Sequence, residues 1–192
     1  MATYQAIGSV AEAVRRLLEH SWTEDAGGLN PRFEVYHRTD FDEPMATGVS
    51  IFVYQVGLDA IQRTLPPPDP RHRRPLPICV SLMLTAWAKN APAEHTLLGW
   101  AMRAIADNPV LSSGFLNAAV PDVFRPEETV ELVAAQLTND EVFQLWQAMP
   151  ISLQLSMPYQ ARVVRIESAI LEPAARPVQV RDLRYLDGVG QP

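Results

Sequence analysis

The side chains equipped for chemistry are few and widely spaced. The histidines are His20, His37, His72 and His95, and none falls at an HExxH or His/Cys spacing that would pre-arrange a zinc site. Asp40, Asp42 and Glu43 gather acidic oxygens in one short stretch. They lack the glycine and the distal glutamate of a calcium loop, so they read as a solvated loop. Gly48-Val49-Ser50 offers a serine but not the second glycine or the strand-turn-helix context of a nucleophile elbow. The nine glycines form neither a phosphate loop nor a dinucleotide fingerprint. Cys79, beside Val80, reads as a small apolar core residue with no signal for a lowered thiol pKa. Trp87, Trp100 and Trp146 read as core anchors, with a helix-rim position at an interface as the other use of such a ring. The expectation is a chain with no catalytic, cofactor or metal site, and therefore not an enzyme.

The sharpest charge run is Arg71, His72, Arg73 and Arg74, embedded among Pro66, Pro67, Pro68, Pro70, Pro75 and Pro77. Planar guanidinium forks pair well with carboxylates on a partner surface, and proline stiffening lowers the ordering cost of such contacts. Arg71, Arg73 and Arg74 are thus candidate interface residues, with ordinary solvation of the loop as the alternative.

The elements that carry these residues follow from periodicity. Ile7, Val10, Val14, Leu17 and Leu18 recur at three-and-four spacing, which predicts a helix over Ala6 to His20. Gly27, Gly28 and Asn30-Pro31 break it. Phe33, Val35 and His37 then alternate with Glu34, Tyr36 and Arg38 as in a half-exposed strand. Val49 to Leu58 is dense in β-branched and aromatic residues, as in a central strand. Leu65 to Pro77 reads as an irregular connection, because proline supplies no ladder donor. Ile78, Val80, Leu82, Leu84 and Ala86 alternate with Cys79, Ser81, Met83, Thr85 and Trp87 in a long strand.

Pro92 to Asp107 predicts a helix with Leu97, Leu98, Ala101, Met102 and Ile105 on one stripe, closed by Asn108-Pro109. A shorter helix is expected within Val110 to Ala119, and a strand over Val130 to Leu137. Thr138 or Asn139 caps a helix through Glu141, Phe143, Leu145 and Trp146. A last strand runs from Tyr159 to Leu171. The order predicts an α+β fold, a mixed or mainly antiparallel sheet covered by two or three helices. Residues 1–171 form the domain and 172–192 a proline-containing extension, whose alternation at Val178, Val180 and Leu183 makes Val178 and Val180 further interface candidates.

At 192 residues with 47% hydrophobic content, one compact domain has enough apolar material for a core. The balance of 16 basic against 22 acidic residues, a net −6, sets up no field for nucleic acid or an anionic membrane. No apolar run nears the roughly 20 residues of a membrane span, and Met1 to Ser9 lacks the order of a secretory signal. Cys79 alone makes no intramolecular disulfide. These features predict folding in the cytoplasm.

Taken in order, Val49-Ser-Ile-Phe-Val-Tyr-Gln-Val, Leu82-Met-Leu-Thr-Ala-Trp-Ala, the run from Leu97 to Leu111, Phe143-Gln-Leu-Trp-Gln-Ala-Met and Leu155-Ser-Met-Pro-Tyr-Gln-Ala-Arg-Val-Val resemble the cap or tail-terminator family of extracellular contractile injection systems. The resemblance covers residues 4 to 170; Pro158 interrupts the approach to the last strand, and the tail from Glu172 does not align. It implies a tail-terminator-like fold and a structural subunit without an active site. Its copies would close as a hexameric ring on the inner tube, stop tube growth and anchor the last sheath layer, in a particle assembled in the cytoplasm and released. Two rivals are a terminator or baseplate adaptor of a phage-like tail and, from another class, a small-molecule-binding or enzymatic α+β domain.

Overall fold

The structure is a computed structural model that describes residues 2–23, 29–59 and 75–168. Within these lie six strands, β1 (Arg32–Tyr36), β2 (Gly48–Leu58), β3 (Leu76–Trp87), β4 (Val110–Ser112), β5 (Thr129–Ala134) and β6 (Ser156–Ile166), and four helices, α1 (Ala6–Ser21), α2 (Ala91–Asp107), α3 (Ser113–Leu116) and α4 (Asn139–Gln147). A 3-10 turn covers Arg38–Phe41. The strands form one sheet in the order β1-β2-β3-β6-β5-β4. Only the β1 and β2 pair runs parallel; the others are antiparallel. The class is α+β with a mixed, mainly antiparallel sheet, as the element order predicts.

The helices divide between the two faces. On one face α1, α2 and α3 bury the main core: Val10, Val14, Leu17 and Leu18 of α1, Leu97, Ala101 and Ile105 of α2 and Leu116 of α3 meet Val49, Ile51, Val80, Leu82 and Leu84. Each such Val, Leu or Ile side chain contributes about 1.5–3 kcal/mol on leaving water. The solvent side of α1 carries Arg15 on Glu12 at 2.7 Å and on Glu19 at 2.8 Å. α2 starts at Asn90, whose side chain accepts the Ala93 amide at 3.0 Å, with proline in the first turn. The opposite face carries a smaller aromatic cluster of Tyr36, Phe41, Met45, Trp87 and Trp146, closed by α4 and the 3-10 turn.

Some expectations are corrected in detail. On β1, Phe33 is buried in the main core as expected, but Tyr36 is buried too and Val35 is 39% exposed. The sheet has a second, aromatic core, and Tyr36 faces it, its phenol oxygen accepting the Met45 amide at 2.7 Å. On α2, Met102 is 36% exposed and Ala104 takes a buried place. Val110–Ser112 forms an edge strand before a one-turn helix, instead of helix throughout. Pro158 lies inside β6, opposite Met83. Its carbonyl accepts the Ala135 amide at 3.0 Å, so its missing N–H faces the place where β5 has ended and costs β3 no ladder bond. Pro77 likewise belongs to the start of β3, paired with Arg165.

Candidate interaction surfaces

Arg71, Arg73, Arg74, Val178 and Val180 all lie outside the described residues, as does His72. The other candidate side chains are accounted for locally. His20 ends α1 with its ring 6.4 Å from that of Phe115. His37 caps the 3-10 turn, and the Asp40 carboxylate accepts the His37 backbone N–H at 2.7 Å, which gives one member of the acidic loop a capping task. His95 sits within α2. Among the described residues, no group of three or more His, Cys, Asp or Glu is placed to hold a metal ion.

Ser50 is fully buried and accepts the Trp87 indole N–H at 2.8 Å. It is paired across the sheet with Thr85, and Thr85 with Ser156, which accepts the Trp146 indole N–H at 3.3 Å. A row of hydroxyls thus crosses β2, β3 and β6 under the aromatic cluster and takes up the two indole donors. Thr85 Oγ1, in the middle, has no hydrogen-bond partner among the described residues. Gly48 opens β2 where a Cβ would lie 2.0 Å from the Arg32 carbonyl oxygen, so glycine there permits the β1 and β2 pairing. The Gly48-Val49-Ser50 triplet is therefore a packing motif.

The shifted titratable groups have structural causes. The Arg15 guanidinium holds the Glu12 carboxyl below its ordinary range. The Thr138 backbone amide lowers Glu141 within the α4 capping box. Burial pushes Tyr36, Tyr54, Tyr159 and the half-buried Cys79 up. An open cleft of about 630 Å³ between the end of α1 and α3 is lined by Arg16, Glu19, His20, Ser112 and Phe115. Arg16 there reaches Glu12 at 3.2 Å, and no nucleophile is paired with a base.

The surface is better described by its strands. Between Val53 and Gln55 the β2 ladder shifts by one residue against β3, and β6 shifts between the partners of Ile78 and Val80. The first bulge faces β3 between Ser81 and Leu82 and the second faces it at Cys79 on the other side, and together they curl the sheet. In the β6 bulge Val163 has φ 68, a left-handed conformation rare for a β-branched residue. Beyond the bulges β2 outruns β1, which pairs only with Gly48 to Phe52, and Val56 and Leu58 stand 42% and 53% exposed. Large apolar side chains are also exposed at Phe143 on α4 and at Leu153 and Leu155 on the approach to β6.

The fold has counterparts. A family described as the Pvc16 N-terminal domain matches residues 9–180. The chain belongs to the Pvc16 N-terminal domain family. This fold is also that of the PVC sheath/tube terminator in its extended state, part of an extracellular contractile injection system, at TM-score 0.60 and 17% identity over 100% of this chain. It is similar too to the tube-terminating cap of the anti-feeding prophage, at TM-score 0.56 and 14% identity over 92% of this chain. The chain spans 66% of the first of those chains and 60% of the second. A comparison with curated protein sequences finds no match.

Of the strand edges and exposed apolar groups described above, periodicity displays few. Phe143 carried a signal, since it falls off the stripe of Val142, Leu145 and Trp146. The free length of β2 carried none, because it depends on where β1 stops. No described helix is long and apolar enough to cross a membrane.

Proposed function

We propose that this chain is a structural cap, which ends the inner tube of a contractile injection particle as a ring of six copies and anchors the last sheath layer. The observation that carries the proposal is membership of the Pvc16 N-terminal domain family over residues 9–180, supported by the fold shared with a sheath/tube terminator and a tube-terminating cap. The functional chemistry of such a subunit is association. A closed ring requires a heterologous contact, in which one patch meets a different patch on the next copy.

The arginines of the proline-rich segment, Arg71, Arg73 and Arg74, are our candidates for pairing with carboxylates of a neighbour, and Phe143 and Leu153 for apolar contact. Val178 and Val180 would supply a strand to the sheath, since backbone pairing resists axial pull. The rigid, curled sheet gives such contacts a fixed frame, and the net charge of −6 sets the chain apart from nucleic-acid binders.

The test is electron microscopy of particles assembled with and without this chain. With it, tubes end at a uniform length beneath a ring and the sheath stays attached; without it, tubes run on. Tubes of unchanged length and capping in its absence would refute the proposal. Deleting 172–192 while sheath attachment persists would remove the strand-donation part alone.

A further inference from the structure

Between β5 and β6 the chain makes an excursion over the aromatic face of the sheet. It leaves at Ala135, whose amide donates to the Pro158 carbonyl at 3.0 Å, and returns at Leu155, whose carbonyl accepts the Ala86 amide at 3.3 Å. Both ends are thus fixed to neighbouring rungs, with Pro158 opposite Met83 and Ser156 opposite Thr85. Of residues 136–154 between these anchors, Trp146 is the one buried residue. Val142, Met149 and Ile151 are half-buried against the aromatic cluster. α4 supplies nine residues of the excursion, fewer than the roughly 12–15 below which an isolated helix is marginal in water. Its capping box, Thr138 with Glu141, is internal and moves with it.

What holds the excursion down is therefore the indole. Trp146 packs edge-on against Phe41, with ring centroids 6.0 Å apart. The polar ties are long, with the indole N–H donating to Ser156 Oγ at 3.3 Å and Arg38 Nε donating to the Ala148 carbonyl at 3.4 Å. Beside the indole, an apolar void of about 10 Å³ lies among Phe41, Phe52, Met83, Leu145 and Met149. Its lining forfeits part of the dispersion contact of a close-packed seam. The other face, by contrast, buries whole stripes of α1 and α2.

We infer that residues 136–154 form a flap latched by the Trp146 indole, which opens from the sheet as a unit while Ala135 and Leu155 stay in place. Segments with few buried apolar groups open at lower free energy than the core. Opening uncovers Phe41, Phe52 and Met83 and carries away Phe143 and Leu153. Those two are the apolar contacts assigned above to a neighbour, so the latch sets whether that surface is assembled. This consequence rests on the cap reading; the flap does not, and its tests use the chain alone.

Cysteine labelling reads the opening directly. In the full chain with Cys79→Ser, Met83→Cys and Leu84→Cys place a buried thiol on the two faces of β3, the first under the flap and the second in the main core. With each rate divided by that variant's own unfolding rate, the thiol at position 83 should be modified at least a hundredfold faster than the one at position 84. Equal normalised rates overturn the inference. Hydrogen exchange gives a second reading. In the unsubstituted chain the α4 peptide should exchange at least a hundredfold faster than the β3 peptide. Trp146→Ala should speed the α4 peptide at least tenfold further, whereas Phe143→Ala should change it less than twofold. An α4 peptide that exchanges in step with β3, one that Trp146→Ala leaves unchanged, or a Trp146→Ala chain that does not fold puts the indole outside a latch and overturns the inference.

Discussion

Thr85 is wholly buried, with Ser50 and Ser156 as cross-strand neighbours, yet its hydroxyl has no partner among the described residues. A buried polar group left unpaired costs more than its apolar isostere. Thr85→Val should therefore stabilise the chain by about 1 kcal/mol, read as a midpoint raised by about 2–4 °C; a lower midpoint would mean that the hydroxyl is engaged. Val163 is the companion case in the backbone. Its φ of 68 carries the left-handed penalty of about 1–2 kcal/mol, against which glycine loses about 0.5–1 kcal/mol in chain entropy. Val163→Gly should gain up to about 1 kcal/mol in denaturant unfolding, whereas Gly48→Ala should lose at least about 2 kcal/mol as its Cβ meets the Arg32 carbonyl. These are residue effects that pattern alone does not display. The periodicity of β2 and β6 shows apolar alternation but not which register skips a place, since neither Tyr54 nor Val163 is the glycine that usually marks a bulge.

At the scale of elements, the helices were the most readable. α1 and α2 carry clean apolar stripes, and Pro92 and Thr138 mark starts that the backbone adopts. The weak point was burial on both faces. Tyr36, Phe41, Trp87 and Trp146 make a second core whose members come from distant parts of the chain, so no local window reveals it. α1 also provides a pH test. The Arg15 hydrogen bonds keep the folded pKa of Glu12 below its ordinary value of 4.5. A lowered folded pKa adds stability above pH 4.5 that disappears as pH falls through the folded value. Glu12→Gln should flatten the fall of the unfolding midpoint below pH 4.5 and leave it level above; a parallel profile would assign the acid sensitivity elsewhere.

For the whole molecule, the α+β class was legible from element order, because strands and helices alternate too irregularly for a parallel sheet. The sheet order was not, because placing β6 between β3 and β5 depends on long-range pairing that spacing does not encode. The interface was least legible. The charged run and the Val178-Val180 alternation are read by chemistry alone and lie outside the described residues, and the free length of β2 comes into view only once it is seen to outrun β1. The central claim is that this surface exists to bind copies of the chain and the end of a tube. Mass measurement of the purified chain, alone and mixed with the inner-tube protein of the same particle, tests it most directly. The account predicts a closed six-copy species bound at tube ends; a chain that stays a monomer and leaves the tubes unbound would contradict it.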